Sequence, residues 1–253
     1  MPSVESYYES KAKIFENQRD DDWFLRNVDD PIVLKHTQHV PCTCIDFSLK
    51  RTDVDLYVKE GYVYLHDLML FDTKTLKIVG PHNIMNAMIA ACMAYKMGVK
   101  VEEIQTVIAQ FKGVEHRLEY IGEKHGVYFY NDSKATNTQA VVTALSSFEK
   151  NIILLAGGHD KGIPFDDLKM FDDRVKLCVS FGETKEKFQP IFTNVISVET
   201  MKDALNEAIK HSQVGDVIVL SPACSSYDQF DNYEQRGRMF KEFVKEYIDS
   251  LFF

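Results

Sequence analysis

The sequence predicts an α/β chain in two parts. A smaller part over residues 1–111 contains an antiparallel unit, and residues 112–253 build a doubly wound, mostly parallel sheet. Three observations carry this. After Gly113, apolar runs of strand length at 127–130, 152–155, 177–181, 195–198 and 217–220 alternate with helical stretches at 138–145, 200–211 and 234–247. Between Asp55 and Val79 the pattern is instead one of short alternating runs and tight turns. The runs of the second part end in polar or glycine-rich turns, as strands of a parallel sheet do where they gather around a ligand.

The elements follow in order. Residues 1–17 read as a helix carrying Tyr7, Tyr8, Ile14 and Phe15, with no strand before it. A strand at 24–27 leads to Asn27-Val-Asp-Asp-Pro31, which caps a short helix with proline in its first turn. A second short strand covers 43–47. Leu56-Tyr57-Val58, the Glu60-Gly61 turn, and the runs 62–65, 68–71 and 76–79 form hairpins. Residues 82–97 are a strongly apolar helix stopped by Gly98, and 101–111 a second, amphipathic one. The boundary between the two parts falls at 111–113.

Composition narrows the function. Of 253 residues 45% are apolar, enough for a real core. A net charge of −9 gives no general attraction for nucleic acid or an anionic membrane, so an anionic ligand must be held by a local cationic site. Cys42, Cys44, Cys92, Cys178 and Cys224 contain no C-x-x-C pair and leave one thiol over in any pairing, which suits a reduced cytosol and structural thiols. Residues 1–20 are polar and charged, and no apolar run approaches membrane-spanning length. A soluble cytoplasmic monomer is the expectation.

The turn after the run at 127–130 reads Asn131-Asp-Ser-Lys-Ala-Thr-Asn137. Asp132, Ser133, Lys134 and Thr136 give it both hydrogen-bonding signs at a strand-to-helix junction, where anions bind. Asp132 or Ser133 could equally cap the following helix. The other strand ends carry Gly157-Gly-His-Asp-Lys161, residues 182–184, and Ser221-Pro-Ala-Cys-Ser-Ser-Tyr-Asp-Gln-Phe230. Gly157 and Gly158 permit close backbone approach and Lys161 can reach an anion. Ser225, Ser226 and Asp228 could also be helix caps. Jointly these turns favour a small-molecule site.

The motifs Asn-Asp-Ser-Lys-Ala-Thr-Asn at 131–137, Gly-Gly-His-Asp-Lys-Gly at 157–162, and Leu-Ser-Pro-Ala-Cys-Ser-Ser-Tyr-Asp-Gln-Phe at 220–230 resemble those of the Mur ligases. So do Tyr-Glu-Gln-Arg-Gly at 233–237, Gly-Pro-His-Asn-Ile-Met-Asn-Ala at 80–87, His116-Arg117 and Tyr8-Glu-Ser-Lys-Ala-Lys-Ile-Phe15. The likeness covers nearly the whole chain and is strongest to the branch that adds D-glutamate. It implies the later part of a central ATP-binding domain over 1–111 and a Rossmann-like domain over 112–253 that binds D-glutamate and part of the nucleotide. The implied reaction uses ATP and Mg²⁺ to phosphorylate the carboxylate of UDP-N-acetylmuramoyl-L-alanine. The amine of D-glutamate then attacks the acyl phosphate, in peptidoglycan precursor synthesis for cell-wall growth and division.

The resemblance also implies residue roles. Lys11 matches a lysine that is carbamylated in the family, which would convert an ammonium into an oxygen ligand for Mg²⁺. Asn83 and Asn86 would face the adenine, with His82 beside them. Arg117, Asp132 and Lys134 would reach the nucleotide from the second domain, so that domain closure belongs to catalysis. Thr136, Lys161, Ser226 and Tyr233 match the D-glutamate pocket, Tyr233 standing where phenylalanine is commoner. Lys11 and Lys161 are the expected catalytic lysines, and Cys224 is expected to be a packed thiol.

One departure stands out. The family's Gly-x-x-Gly-Lys-Thr phosphate loop is absent, as is a uridine-nucleotide-binding domain, so the chain reads as a C-terminal fragment inactive by itself. Two other readings compete. One is a different amide ligase of this type, including a folate polyglutamate ligase, although the Asp-Asn-Pro-Arg signature of the diaminopimelate-adding branch is missing. The other is a non-catalytic module that binds a nucleotide or acidic ligand.

Overall fold

Hydrophobic alternation sorts the N-terminal residues into one mixed sheet. The computed structural model describes residues 4–250 and divides the chain into two units, Met1–Lys77 with Pro81–Phe111, and Ile78–Gly80 with Lys112–Phe253. In the first, α1 (Val4–Ala12) tightens into a 3-10 turn at Lys13–Phe15, so the helix expected over 1–17 is shorter. The cause is a change to i→i+3 bonding, with Glu16 and Gln18 amides donating to the carbonyls of Lys13 and Phe15. Residues 1–3 of that expected helix lie outside the described residues.

Strand β1 (Trp23–Asn27) leads to α2 (Pro31–His36), which Asp30 caps by accepting the amides of Ile32 and Val33. Strands β2 (Thr43–Ser48), β3 (Leu56–Lys59), β4 (Tyr62–Leu65) and β5 (Leu68–Asp72) complete the sheet in the order β1-β2-β3-β4-β5. β1, β2 and β3 are parallel, while β3, β4 and β5 are antiparallel. The hairpins are thus the continuation of a parallel set.

Residues 76–79 form no strand, contrary to the sequence reading. The Asp72 carboxylate accepts the Lys74 amide and its carbonyl accepts Thr75 Oγ1, coiling Thr73–Thr75 and diverting the chain from the ladder. Helices α3 (Pro81–Lys96) and α4 (Val101–Gln110) follow. They bury Met88, Ala91, Cys92 and Ile104 with Ile45, Phe47, Leu56, Val63 and Leu70 of the sheet.

The second unit runs β6 (Glu119–Lys124), β7 (Val127–Asn131), α5 (Thr138–Leu145), β8 (Ile152–Gly157), β9 (Val175–Phe181), β10 (Val195–Ser197), α6 (Met201–His211), β11 (Val217–Leu220) and α7 (Tyr233–Asp249). Strand order is β10-β9-β8-β11-β7-β6, parallel throughout except β6. This is the doubly wound sheet the alternation predicts.

β6 was not expected, because its residues Glu119-Tyr-Ile-Gly-Glu-Lys124 are mostly polar; it is an edge strand, paired on one side alone. The connections out of β8 and β9 carry 3-10 turns at Asp166–Phe171 and Gly182–Phe188 in place of α-helices. β8 is buried along its whole length because both faces are covered. Ile152 and Leu154 face the side of α5, Ile153 and Leu155 that of α6 and α7. Each such side chain contributes about 1.5–3 kcal/mol by leaving water. Among the described residues no helix is long and apolar enough to cross a membrane.

Candidate functional site

Parallel strands finish on one rim, and here three of them are laced together by their own backbone and a fourth by a side chain. The Asp132 amide donates to the Leu220 carbonyl (2.8 Å), Gly157 N to Pro222 O (2.9 Å) and His159 N to Ser225 O (3.0 Å). Thr184 Oγ1, after β9, lies 3.2 Å from the Gly158 carbonyl and 3.3 Å from Cys224 Sγ. Turns far apart in sequence therefore share one surface. Gly158 shows why the paired glycines are needed: with φ at +137°, a Cβ there would lie 2.4 Å from the Ser225 carbonyl oxygen.

Arg236 holds two of these turns from below. It lies on the apolar stripe of α7 with Phe240 and Val244, and its side chain is fully buried. Its Nε donates to Ser133 Oγ (3.0 Å), Nη2 to Ser133 O (2.8 Å) and Cys224 O (3.1 Å), and Nη1 to Ser225 O (3.2 Å). Burial lowers its pKa to about 10, so it stays charged at neutral pH. Ser133 Oγ in turn donates to Tyr233 O.

A second buried group fixes the approach to β6. Asp132 accepts the Leu118 amide at Oδ1 (3.1 Å) and Ser221 Oγ at Oδ2 (2.8 Å). Burial pushes its carboxyl up to about 7 against the pull of those bonds and of Arg117. Leu118 and His116 both have positive φ (42° and 64°), so Arg117 stands exposed on a sharply turned backbone. His116 is buried, its Nδ1 2.9 Å from Asn131 Nδ2, and burial lowers its pKa so that the ring is neutral. Gly237 leaves room for that ring, since a Cβ there would meet Nδ1 at 2.2 Å. Glu115 and Glu119 approach His116, but Lys241 already bridges both carboxylates, at 2.8 and 2.6 Å, and supplies the cation.

The expected site residues sort by unit. In the second, Lys134 is exposed with Nζ 5.7 Å over the half-buried Tyr233 ring, whose edge meets His116. The exposed Lys161 donates from Nζ to the carbonyl of half-buried Thr136 at 2.5 Å, and Ser226 is buried next to Ser225. Thr136, Lys161 and Ser226 thus belong to turns that the rim ties together. The Ser225 hydroxyl is buried without a hydrogen-bond partner.

In the first unit, Asn83 and Asn86 lie in the opening turns of α3, half-buried and exposed respectively. Lys11 ends α1, exposed, its ammonium 5.3 Å from the Tyr7 ring centre. As an unmodified amine it offers no oxygen to Mg²⁺, so a metal site there depends on the carbamate.

The helix-cap alternatives do not hold. Asn137 caps α5 and Asn232 caps α7, leaving Asp132, Ser133, Ser225, Ser226 and Asp228 at the rim. Cys224 is buried and its pKa raised, as a packed thiol should be. The sequence reading missed the roles of Arg236, Asn131 and Ser221. For Arg236 a signal existed: a charge at i, with apolar residues at i+4 and i+8, sits on the buried face of a helix. A cavity of about 590 Å³ lies at the opposite end of the sheet, lined by His125, Val127, Ile209, Val214 and Tyr247, away from these groups.

Comparisons with known proteins agree with this fold. The family model "Mur ligase middle domain" matches residues 1–94, and "Mur ligase, glutamate ligase domain" matches 116–224. The UDP-N-acetylmuramoylalanine--D-glutamate ligase of Aquifex aeolicus is 40% identical over 96% of this chain and 58% of its own length. That of Caldanaerobacter subterraneus subsp. tengcongensis is 37% identical over 96% of this chain and 56% of its own. This chain therefore spans little more than half the length of those relatives.

Among solved structures, a pseudomurein peptide ligase type C from Methanothermus fervidus superposes with a TM-score of 0.71 at 15% identity, covering 97% of this chain and 60% of that one. MurF ligase from Thermotoga maritima in complex with ADP gives 0.67 at 16% identity, covering 97% and 59%. With both family models matched in sequence order and the fold shared, the chain belongs to the Mur ligase family.

Proposed function

We propose that this chain provides the amino-acid-binding part and some of the nucleotide-binding part of an ATP-dependent amide ligase. The enzyme adds D-glutamate to UDP-N-acetylmuramoyl-L-alanine in the cytoplasm during peptidoglycan precursor synthesis. The observation that carries this is the joining of the Thr136, Lys161 and Ser226 turns at one rim, together with the names of the relatives. An acidic amino acid needs a cation and hydroxyl donors at fixed spacing, and that is what these turns supply. Lys161 and Thr136 serve one carboxylate and Ser226 the other, with Tyr233 closing the wall.

Arg117 and Lys134, exposed cations beside that pocket, suit phosphate oxygens. Asn83 and Asn86 suit the hydrogen-bonding edge of adenine. ATP, when bound, supplies the phosphoryl group that activates the acceptor carboxylate. A carbamate at Lys11 would hold Mg²⁺, which together with the lysines would offset the charge that builds up.

Titration of the chain with D- and L-glutamate, followed by amide NMR shifts, tests the reading. Binding of D-glutamate, at least about tenfold weaker for L-glutamate and lost in Lys161→Ala and Ser226→Ala, is expected. Equal response to both hands, or binding untouched by either substitution, counts against it.

A further inference from the structure

Arg236 has full burial, no carboxylate among its acceptors, and two bonds to each of two separate turns. A methionine there would fill similar space on an apolar stripe without carrying a charge into the interior. What a methionine cannot do is hold four acceptors at fixed separation. The guanidinium is a rigid plane whose donors point outward along its edges, so acceptors on two sides are kept apart by the width of the group.

Here one side is the turn at 133–136, containing Lys134 and Thr136, and the other is the loop at 224–226, containing Ser226. Two further bonds extend the brace: Ser133 Oγ donates to Tyr233 O, and His159 N donates to Ser225 O.

We propose that Arg236 is a positioning residue that sets the gap between the turn at 133–136 and the loop at 224–226, and through that gap the chain length of the acidic amino acid accepted at the rim. This rests on the amino-acid reading above. Arg236 does not touch the ligand; it acts through Ser133, Cys224 and Ser225. A dicarboxylic amino acid that spans the two sides senses their spacing at the level of one methylene, a difference a rigid site turns into roughly tenfold or more in affinity. Lysine at 236 keeps the charge but, with a single ammonium, cannot brace both sides, so the spacing relaxes.

The test titrates the full 253-residue chain with D-glutamate, D-aspartate and D-2-aminoadipate, one methylene shorter and one longer, by amide NMR. Wild type, Arg236→Lys and Ser133→Ala are compared, the last removing one acceptor of the guanidinium together with the donor to Tyr233 O. Wild type is expected to prefer D-glutamate over both analogues by about tenfold or more. Arg236→Lys is expected to bind more weakly with the preference reduced to about threefold or less, and Ser133→Ala to fall between. Either variant keeping the wild-type preference, even at lower overall affinity, overturns the proposal and leaves Arg236 a purely structural residue. A wild type that takes none of the three removes the amino-acid reading and this proposal together, and the wild-type arm alone distinguishes that case.

Discussion

Arg236 Nη2 donates to the carbonyl of Ser133 at 2.8 Å across 103 positions of sequence. The contact joins the turn after the first parallel strand of the unit to its last helix. One side chain, supplied by the last helix, thus bonds both the 133–136 turn and the 224–226 loop.

Replacing that guanidinium tests how much the brace contributes to the fold. Arg236→Met leaves the carbonyls of Ser133, Cys224 and Ser225 short of buried donors and is expected to destabilise the chain by about 2–4 kcal/mol in urea denaturation. Arg238→Ala, on the exposed side of the same helix, should stay within about 0.5 kcal/mol of wild type. A methionine variant at least as stable as wild type would mean that desolvation of the charge outweighs its hydrogen bonds.

Asp132 makes stability depend on pH in the sense opposite to a salt-bridged carboxylate. Its carboxyl sits at about 7 in the fold against an ordinary 3.8, so between those values the native chain holds a proton that the unfolded chain has lost. The contribution is therefore full below about pH 4 and lost as pH rises toward 7, a span of at most about 4 kcal/mol. Asp132→Asn keeps an acceptor for Leu118 N and avoids the buried charge. It should be more stable than wild type at pH 8, with the advantage shrinking toward pH 5, in melts at both values.

Glycine substitutions separate crowding from backbone strain. Gly158→Ala meets the Ser225 carbonyl at 2.4 Å with φ at +137°, and should cost several kcal/mol or prevent folding. Gly98→Ala also has positive φ, +90°, but nothing lies within 4 Å of its Cβ, so about 1 kcal/mol is expected. Comparable losses at the two positions in chemical denaturation would show that φ alone decides.

Tyr233 tests which part of an aromatic side chain matters at the rim. Its ring lies near Lys134 and meets His116 at a T-shaped angle, and the adjacent Glu234 carboxylate raises the pKa of its hydroxyl. Tyr233→Phe should bind D-glutamate within about twofold of wild type, while Tyr233→Ala loses about three- to tenfold. Calorimetric titration of the two variants measures the difference, and a large loss in the phenylalanine variant would assign the hydroxyl a part in binding.

The parallel sheet was legible because burial on both faces writes itself into runs such as Ile152-Ile-Leu-Leu155, and because those runs must share a rim. β6 was not, since a polar edge strand carries no such signature. The run at 76–79 misled for the opposite reason: it looks like a strand, but the Asp72 cap decides locally where the ladder ends. At the rim, Lys161 and Ser226 stood out as polar residues in turns, whereas Arg236 was hidden inside a helix. The caps were not legible either, because Asn137 and Asn232 lie several residues beyond the serines and aspartates that resemble caps.

β6 runs opposite to β7, so the polypeptide joins this sheet beside Asp132 and first leaves the rim through six residues of strand. The hairpin bend at His125 consequently lies about 17 Å from the rim turns, the length of β7. A fluorophore or surface tether fixed at that bend would report on the molecule without crowding the rim.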